Sequence, residues 1–190
     1  MDHKLWKIVE ANPVIAAVKD MADLDTCLRA DMKVIFILFG DICNIGDIVD
    51  RVKQDDNIIM VHIDLITGLS GKEVAVDYIR EHTKADWILT TKQPLVKRAK
   101  ELGMYSVLRF FVIDSMALLN IEKQTKQSGA QPDLIEILPG VMPKIIKKVV
   151  QISKIPVIAG GLITDKEDVM SALSSGAVSI SSTNHEVWFM

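Results

Sequence analysis

The chain reads as an α/β protein, a compact (β/α)8 barrel of the TIM type with a short or missing final helix. Three observations predict this. Eight short runs rich in Val, Ile and other apolar residues recur along the 190 residues. Continuous apolar runs of that length suit strands buried on both faces of a parallel sheet. Stretches with apolar residues at helical spacing lie between them. The runs also begin about 23 residues apart on average, near the least that a strand, a helix and two loops can occupy. Eight such units with no break in composition point to a closed barrel; an open doubly wound sheet is the alternative. The barrel would be small, since the fold typically takes about 250 residues.

In chain order, the strand runs are 14–18 (VIAAV), 34–38 (VIFIL), 58–63 (IIMVHI), 87–90 (WILT), 105–110 (YSVLRF), 134–138 (LIEIL), 156–159 (PVIA) and 177–181 (AVSIS). Residues 20–31 leave little room for a long first helix. Ile48, Val49 and Val52 mark the second. Val74, Ala75, Tyr78 and Ile79 form the stripe of the third, ringed by Glu73, Asp77, Arg80 and Glu81. Leu95, Val96, Ala99 and Leu102 form the next, closed by Gly103, where a C-cap glycine belongs. Ile145, Ile146, Val149, Val150 and Ile152 follow Pro143. Val169, Met170, Ala172 and Leu173 follow Thr164, read as the N-cap, and stop at Gly176. After the eighth strand residues 182–190 allow one or two helical turns. The flank left open there needs a cover, either the N-terminal Leu5, Trp6, Ile8 and Val9 or a second subunit. A homodimer burying Trp188 and Phe189 is therefore expected.

Composition narrows the function. The chain is 49% hydrophobic and 25% charged, with a net charge of −3, as in soluble globular proteins and unlike strongly basic nucleic-acid binders. Cys27 and Cys43 lack metal-ligand spacing and read as free thiols of a reducing compartment. No His/Cys pattern suggests a metal. The start of the chain has no apolar signal core, and no apolar run is long enough to cross a membrane.

In a barrel the functional face is the C-terminal end of the strands, and the turns after strands seven and eight often hold a phosphate. Strand seven runs into Gly160 and Gly161, which let a ligand approach the backbone closely. Strand eight ends at Ser182 and Thr183, which offer amide and hydroxyl donors. A tight turn followed by an ordinary N-cap is the bland account of each; the two turns in this order make the phosphate reading. Polar groups stand at other strand ends: His62 and Asp64 after strand three, Lys92 after strand four, Arg109 in strand five and Glu136 in strand six. Charges in such places are paired or hold a ligand. Asp64, Lys92, Arg109 and Glu136 are thus the candidates for the polar part of a ligand, and the combination suits a small polyol phosphate. His62 reads as a hydrogen-bonded core residue. Residue types alone leave a phosphosugar enzyme and a phosphosugar sensor both open: Asp64 and Glu136 could serve as acid and base, and Lys92 could form a Schiff base.

The segments VHIDLITGLSGKE, TTK, SVLRFFVIDS, PDLIEILPGVMPKII, IPVIAGGLITDKEDV and GAVSISST together resemble the glycerol uptake operon antiterminator regulatory proteins, over nearly the whole chain from Pro13 to Trp188. The resemblance implies a cytoplasmic bacterial regulator with no catalytic role. It would respond to glycerol 3-phosphate as effector and act on the leader mRNA of a glycerol operon to prevent early termination. No RNA-binding motif is visible, and aromatic residues make up only 5% of the chain, so an RNA surface must be sought among local basic clusters. Lys144, Lys147 and Lys148 form the densest; Lys97, Arg98 and Lys100, and Lys123 with Lys126, are others. The alternatives are a small phosphosugar-metabolising barrel enzyme and a phosphosugar sensor that works through a protein partner.

Overall fold

The computed structural model describes residues 3–54, 57–126 and 131–190. Eight parallel strands close into a barrel in sequence order: β1 (Val14–Val18), β2 (Val34–Ile37), β3 (Ile58–His62), β4 (Trp87–Thr90), β5 (Tyr105–Phe111), β6 (Leu134–Leu138), β7 (Val157–Gly160) and β8 (Ser179–Ser182). The helices are α1 (His3–Ala11), α2 (Met21–Arg29), α3 (Ile45–Val52), α4 (Val74–His82), α5 (Gln93–Glu101), α6 (Ser115–Lys126), α7 (Pro143–Ser153), α8 (Lys166–Ser174) and α9 (His185–Trp188). The open-sheet alternative is excluded by the pairing of β8 with β1, Val14 opposite Ile180 and Ala16 opposite Ser182.

Both faces of the strands are buried, which is why they read as unbroken apolar runs. Successive side chains alternate between the faces. Ile15, Phe36, Met60, Trp87, Leu89 and Ile158 belong to the cluster that fills the barrel. Their sequence neighbours Ala16, Ile35, Ile59 and Ile88 pack outward with the apolar faces of α2 to α5. On the other side Leu108, Ile135, Ala159 and Ile180 do the same with α6 to α8. Along β3, β5 and β6 the inward positions change from apolar to His62, Arg109 and Glu136 as the strands reach their C-terminal ends, beside Gly160 of β7 and Ser181 of β8. The core therefore ends below the mouth, and the mouth is polar.

Both chain ends depart from expectation. α1 closes the floor of the barrel, not its flank. Val9 is fully buried in the inner cluster with Ile15 and Val34, and its carbonyl accepts the Ser179 hydroxyl at 3.5 Å. The side chains of Leu5 and Trp6 lie outside the described residues. The flank is covered by α9. Trp188 is only 4% exposed within its own chain, packed in the cluster that holds Leu24 of α2, and its indole N–H donates to the Ser182 carbonyl at 2.8 Å. A second subunit is thus not what buries Trp188; Phe189, 60% exposed, stays outside. A further correction concerns α8. Its N-cap is Asp165, whose side chain accepts from the Asp168 amide. Thr164, one residue earlier, gives its amide and hydroxyl to Asp168 Oδ2. A carboxylate complements the helix N-terminus better than a hydroxyl.

Candidate functional site

A cleft of about 320 Å³ opens at the C-terminal mouth, between the β7 and β8 turns on one side and β5 and β6 on the other. From the turns come Gly161, Leu162 and Thr164, then Ser182, Thr183 and Asn184. The facing wall has Arg109, Glu136 and Leu138, and Ala17 and Leu38 contribute apolar surface. Five of the eight residues expected to bind a ligand line this cleft: Arg109, Glu136, Gly161, Ser182 and Thr183.

The two turns are tied to each other. The Ser182 hydroxyl donates to the Ile163 carbonyl at 2.8 Å and accepts the Asn184 amide at 3.0 Å. Asn184 Nδ2 donates to the Thr164 carbonyl at 2.8 Å. The Ser182 hydroxyl proton is committed to shaping the turn, so of the two hydroxyls expected to donate, that of Thr183, exposed beside it, faces solvent. Gly161 has φ +75°, where glycine carries no Cβ penalty. Leu162 follows at φ +63°, a left-handed conformation costing a non-glycine residue roughly 1–2 kcal/mol. Such strain clusters at ligand-binding turns. From the β6 side the Gly140 amide donates to the Gly161 carbonyl at 3.0 Å.

Gly160 does not face the cleft. It lies beneath Glu136: a Cβ there would stand 2.4 Å from Glu136 Oε1 and 2.5 Å from Ser181 Oγ. The missing side chain makes room for the carboxylate. Glu136 is fully buried. Arg109, its register partner on β5, donates Nε–H to Oε2 at 2.5 Å, and the Ser181 hydroxyl donates to Oε1 at 2.5 Å. The cation paired with Glu136 is thus Arg109, while Lys92 pairs with Asp64.

Asp64 and Lys92 form a separate group at the ends of β3 and β4. Asp64 sits on a 3-10 turn (Ile63–Leu65), so it leaves the two-residue alternation that would have placed it beside His62. Its Oδ2 accepts the Thr91 amide at 2.7 Å and the Thr90 and Thr91 hydroxyls at 3.0 Å, and Lys92 Nζ lies 3.2 Å from Oδ1. Burial pushes the Asp64 carboxyl up, but these donors outweigh it and hold it below the usual carboxylate range. Lys92 is half-exposed, and a Cβ on Gly71 of the preceding loop would touch its ammonium. This arrangement resembles an ion-paired loop anchor more than a Schiff-base lysine buried to lose its proton.

His62 departs from expectation. It is 3% exposed, yet Nδ1 has no hydrogen-bond partner among the described residues. Burial, then the nearby Arg109 charge, pushes the imidazole pKa down to about 4, so it is neutral. No signal in the sequence separates a satisfied core histidine from an orphaned one.

The loops after β2 and β3 are bonded to each other. The Ile42 amide donates to the Thr67 carbonyl at 2.9 Å, and the Thr67 amide to the Gly40 carbonyl at 3.0 Å. Lys144, Lys147 and Lys148 are exposed on α7, whose eleven residues include no acidic side chain. The other basic clusters are partly neutralised: Arg98 pairs with Asp77 and Glu101, and Lys126 with Glu122. Among the described residues no group of three or more His, Cys, Asp or Glu is placed to hold a metal ion, and no helix is long and apolar enough to cross a membrane.

Residues 14–188, from the first strand to the final helix, match the family of glycerol-3-phosphate responsive antiterminators. The chain belongs to this family. A relative in Escherichia coli (strain K12), an uncharacterized protein called YgcP, is 42% identical over 184 residues, 97% of this chain and 95% of its own. Two crystal structures of similar proteins carry the family fold. The glycerol uptake operon antiterminator regulatory protein from Listeria monocytogenes (str. 4b F2365) superposes with a TM-score of 0.86 at 30% identity, over 92% of this chain and 94% of its own. A glycerol uptake operon antiterminator-related protein from Thermotoga maritima MSB8 gives 0.82 at 30% identity, over 94% and 99%. Barrel enzymes such as the deoxyribose phosphate aldolase from Aeropyrum pernix, 14% identical, share the fold alone.

Proposed function

We propose that this antiterminator-family protein binds glycerol 3-phosphate in the mouth cleft and, so loaded, acts on the leader mRNA of a glycerol uptake operon in the cytoplasm to prevent early termination. One observation carries the reading: the interlocked β7 and β8 turns line one small cleft together with Arg109 and Glu136. The phosphate would lie against the backbone of Gly161 and Leu162 and the amide and hydroxyl of Thr183. The hydroxyls would point toward Glu136 and Arg109. The volume is at the low end for ligand pockets and suits a molecule of about ten non-hydrogen atoms. Asp64 and Lys92 keep the neighbouring loop in place, and Gly160 and Ser182 shape the walls.

A regulatory role is supported by what the polar groups are doing. Glu136 is held by Arg109 and Ser181, and Lys92 is ion-paired, so neither is poised for acid–base or Schiff-base chemistry. For the RNA, α7 offers a basic face that begins at the mouth end of the barrel, since it follows the β6 turn. The exposed Ile113, Met116 and Leu119, at the entry to and along α6, support pairing of two copies.

The deciding experiment measures affinity for a glycerol operon leader transcript with and without glycerol 3-phosphate, at several salt concentrations. Tighter binding with the effector is expected, since a ligand favours only the state it binds better. Reversing the charges at Lys144, Lys147 and Lys148 should weaken binding and flatten its salt dependence, by about one unit of slope for each phosphate no longer neutralised. Effector binding without RNA binding would turn the reading toward a protein-partnered sensor or an enzyme, and a turnover assay would separate those.

A further inference from the structure

The charge pattern of the mouth specifies more than a phosphate subsite. Arg109 is the cation that lines the cleft, but its Nε–H is bound to Glu136 at 2.5 Å and the two face each other in register. The Glu136 carboxylate is held from three sides: by Arg109, by the Ser181 hydroxyl, and by the Gly160 backbone against which it lies. It is fully buried and cannot swing away. Any group reaching Arg109 also feels the Glu136 charge bonded to it. Nearby His62 adds no charge, and the Lys92 charge is matched by Asp64. The part of the cleft that Arg109 reaches is therefore electrically balanced, with an acceptor-only carboxylate buried beneath it. A carboxylate accepts O–H groups and repels a second anion.

Resting on the effector reading above, we propose that this mouth selects phosphorylated polyols over phosphorylated carboxylic acids of the same length, and that Glu136 is the residue that determines this specificity. By pairing Arg109 it withholds the cation that a ligand carboxylate would need, and its own charge lies close beneath. The matched probes are glycerol 3-phosphate and glycerate 3-phosphate, which has a carboxylate in place of the terminal CH2OH.

Calorimetric titration at fixed salt compares these two compounds and inorganic phosphate on the whole protein and on Glu136→Gln. The amide keeps the size and an acceptor for Arg109. The wild-type protein is expected to bind the polyol roughly a hundredfold tighter than the acid, the scale of a like-charge contact in a poorly hydrated site. In the variant the ratio should shrink at least about tenfold, mostly by gain of affinity for the acid. Equal wild-type affinities, or a ratio unchanged by the substitution, would overturn the inference while leaving the effector reading intact. Binding of neither organic phosphate to the folded protein would remove the effector reading and this inference with it. Were the variant not to fold, the wild-type ratio decides alone.

Discussion

His62 is a buried imidazole kept neutral by its surroundings, and that links it to stability. Its pKa is about 4 in the folded protein and about 6.5 in an unfolded chain. The unfolded state therefore takes up the proton first on acidification. The stabilisation is complete above about pH 6.5 and is lost progressively as pH falls toward 4, by about 3 kcal/mol. The Asp64 carboxyl, held below its ordinary range, adds a further loss at still lower pH. Urea unfolding at pH 7, 5.5 and 4 should show this decline, and His62→Leu should flatten it between 6.5 and 4. Gly160 gives a second prediction. Gly160→Ala places a methyl against Glu136 Oε1 and Ser181 Oγ, so it should destabilise by about 1–3 kcal/mol and break the Arg109–Glu136 geometry. Chemical denaturation measures the first effect, and effector titration the second. The sequence marked Gly160 and Gly161 as a pair; only the packing assigns them different work, one beneath a carboxylate and one at a left-handed turn.

At the scale of elements, α9 is only four residues long yet holds a large share of its neighbourhood. Its N-cap Asn184 accepts from the Glu186 amide and also reaches the β7 turn. His185 meets the buried Asp23 of α2 at 2.6 Å. Trp188 covers the flank of β1 and bonds the last residue of β8. Trp188→Ala should cost about 3–5 kcal/mol, and because the same segment steadies the β8 turn it should weaken effector binding as well. Thermal unfolding with and without glycerol 3-phosphate would measure both. The eight strands and most helices were legible because a two-face-buried strand and an amphipathic helix each write a distinct period into the sequence. The role of α9 was not, since residues 182–190 are too few for a period. The hydrophobic Trp188 signalled only that something must cover it.

Across the whole molecule, the proposed binding of effector at the mouth would couple to folding. Effector bound only by the folded state at a hundred times its dissociation constant adds about 2.7 kcal/mol, which for a chain of this size raises the melting temperature by roughly 5–10 °C. Scanning calorimetry against effector concentration tests this, and an unchanged melting temperature at millimolar effector would contradict binding at the mouth. The alternation of strands and helices is written in the residue pattern. Closure is not, since an open doubly wound sheet also covers both faces of its strands; the pairing of β8 with β1 decides it. The same pattern puts Gly161, Thr183, Arg109 and Glu136 at one end, because residues at the C-terminal ends of barrel strands share a rim whatever their separation along the chain. Which of these groups face one another is settled by three-dimensional packing. Arg109 meets Glu136 through strand register, Asp64 turns away to Lys92 on a 3-10 turn, and the Ser182 proton goes to the neighbouring turn. Those choices depend on distances of a few ångströms between residues far apart in the chain, and no local pattern of residues encodes them.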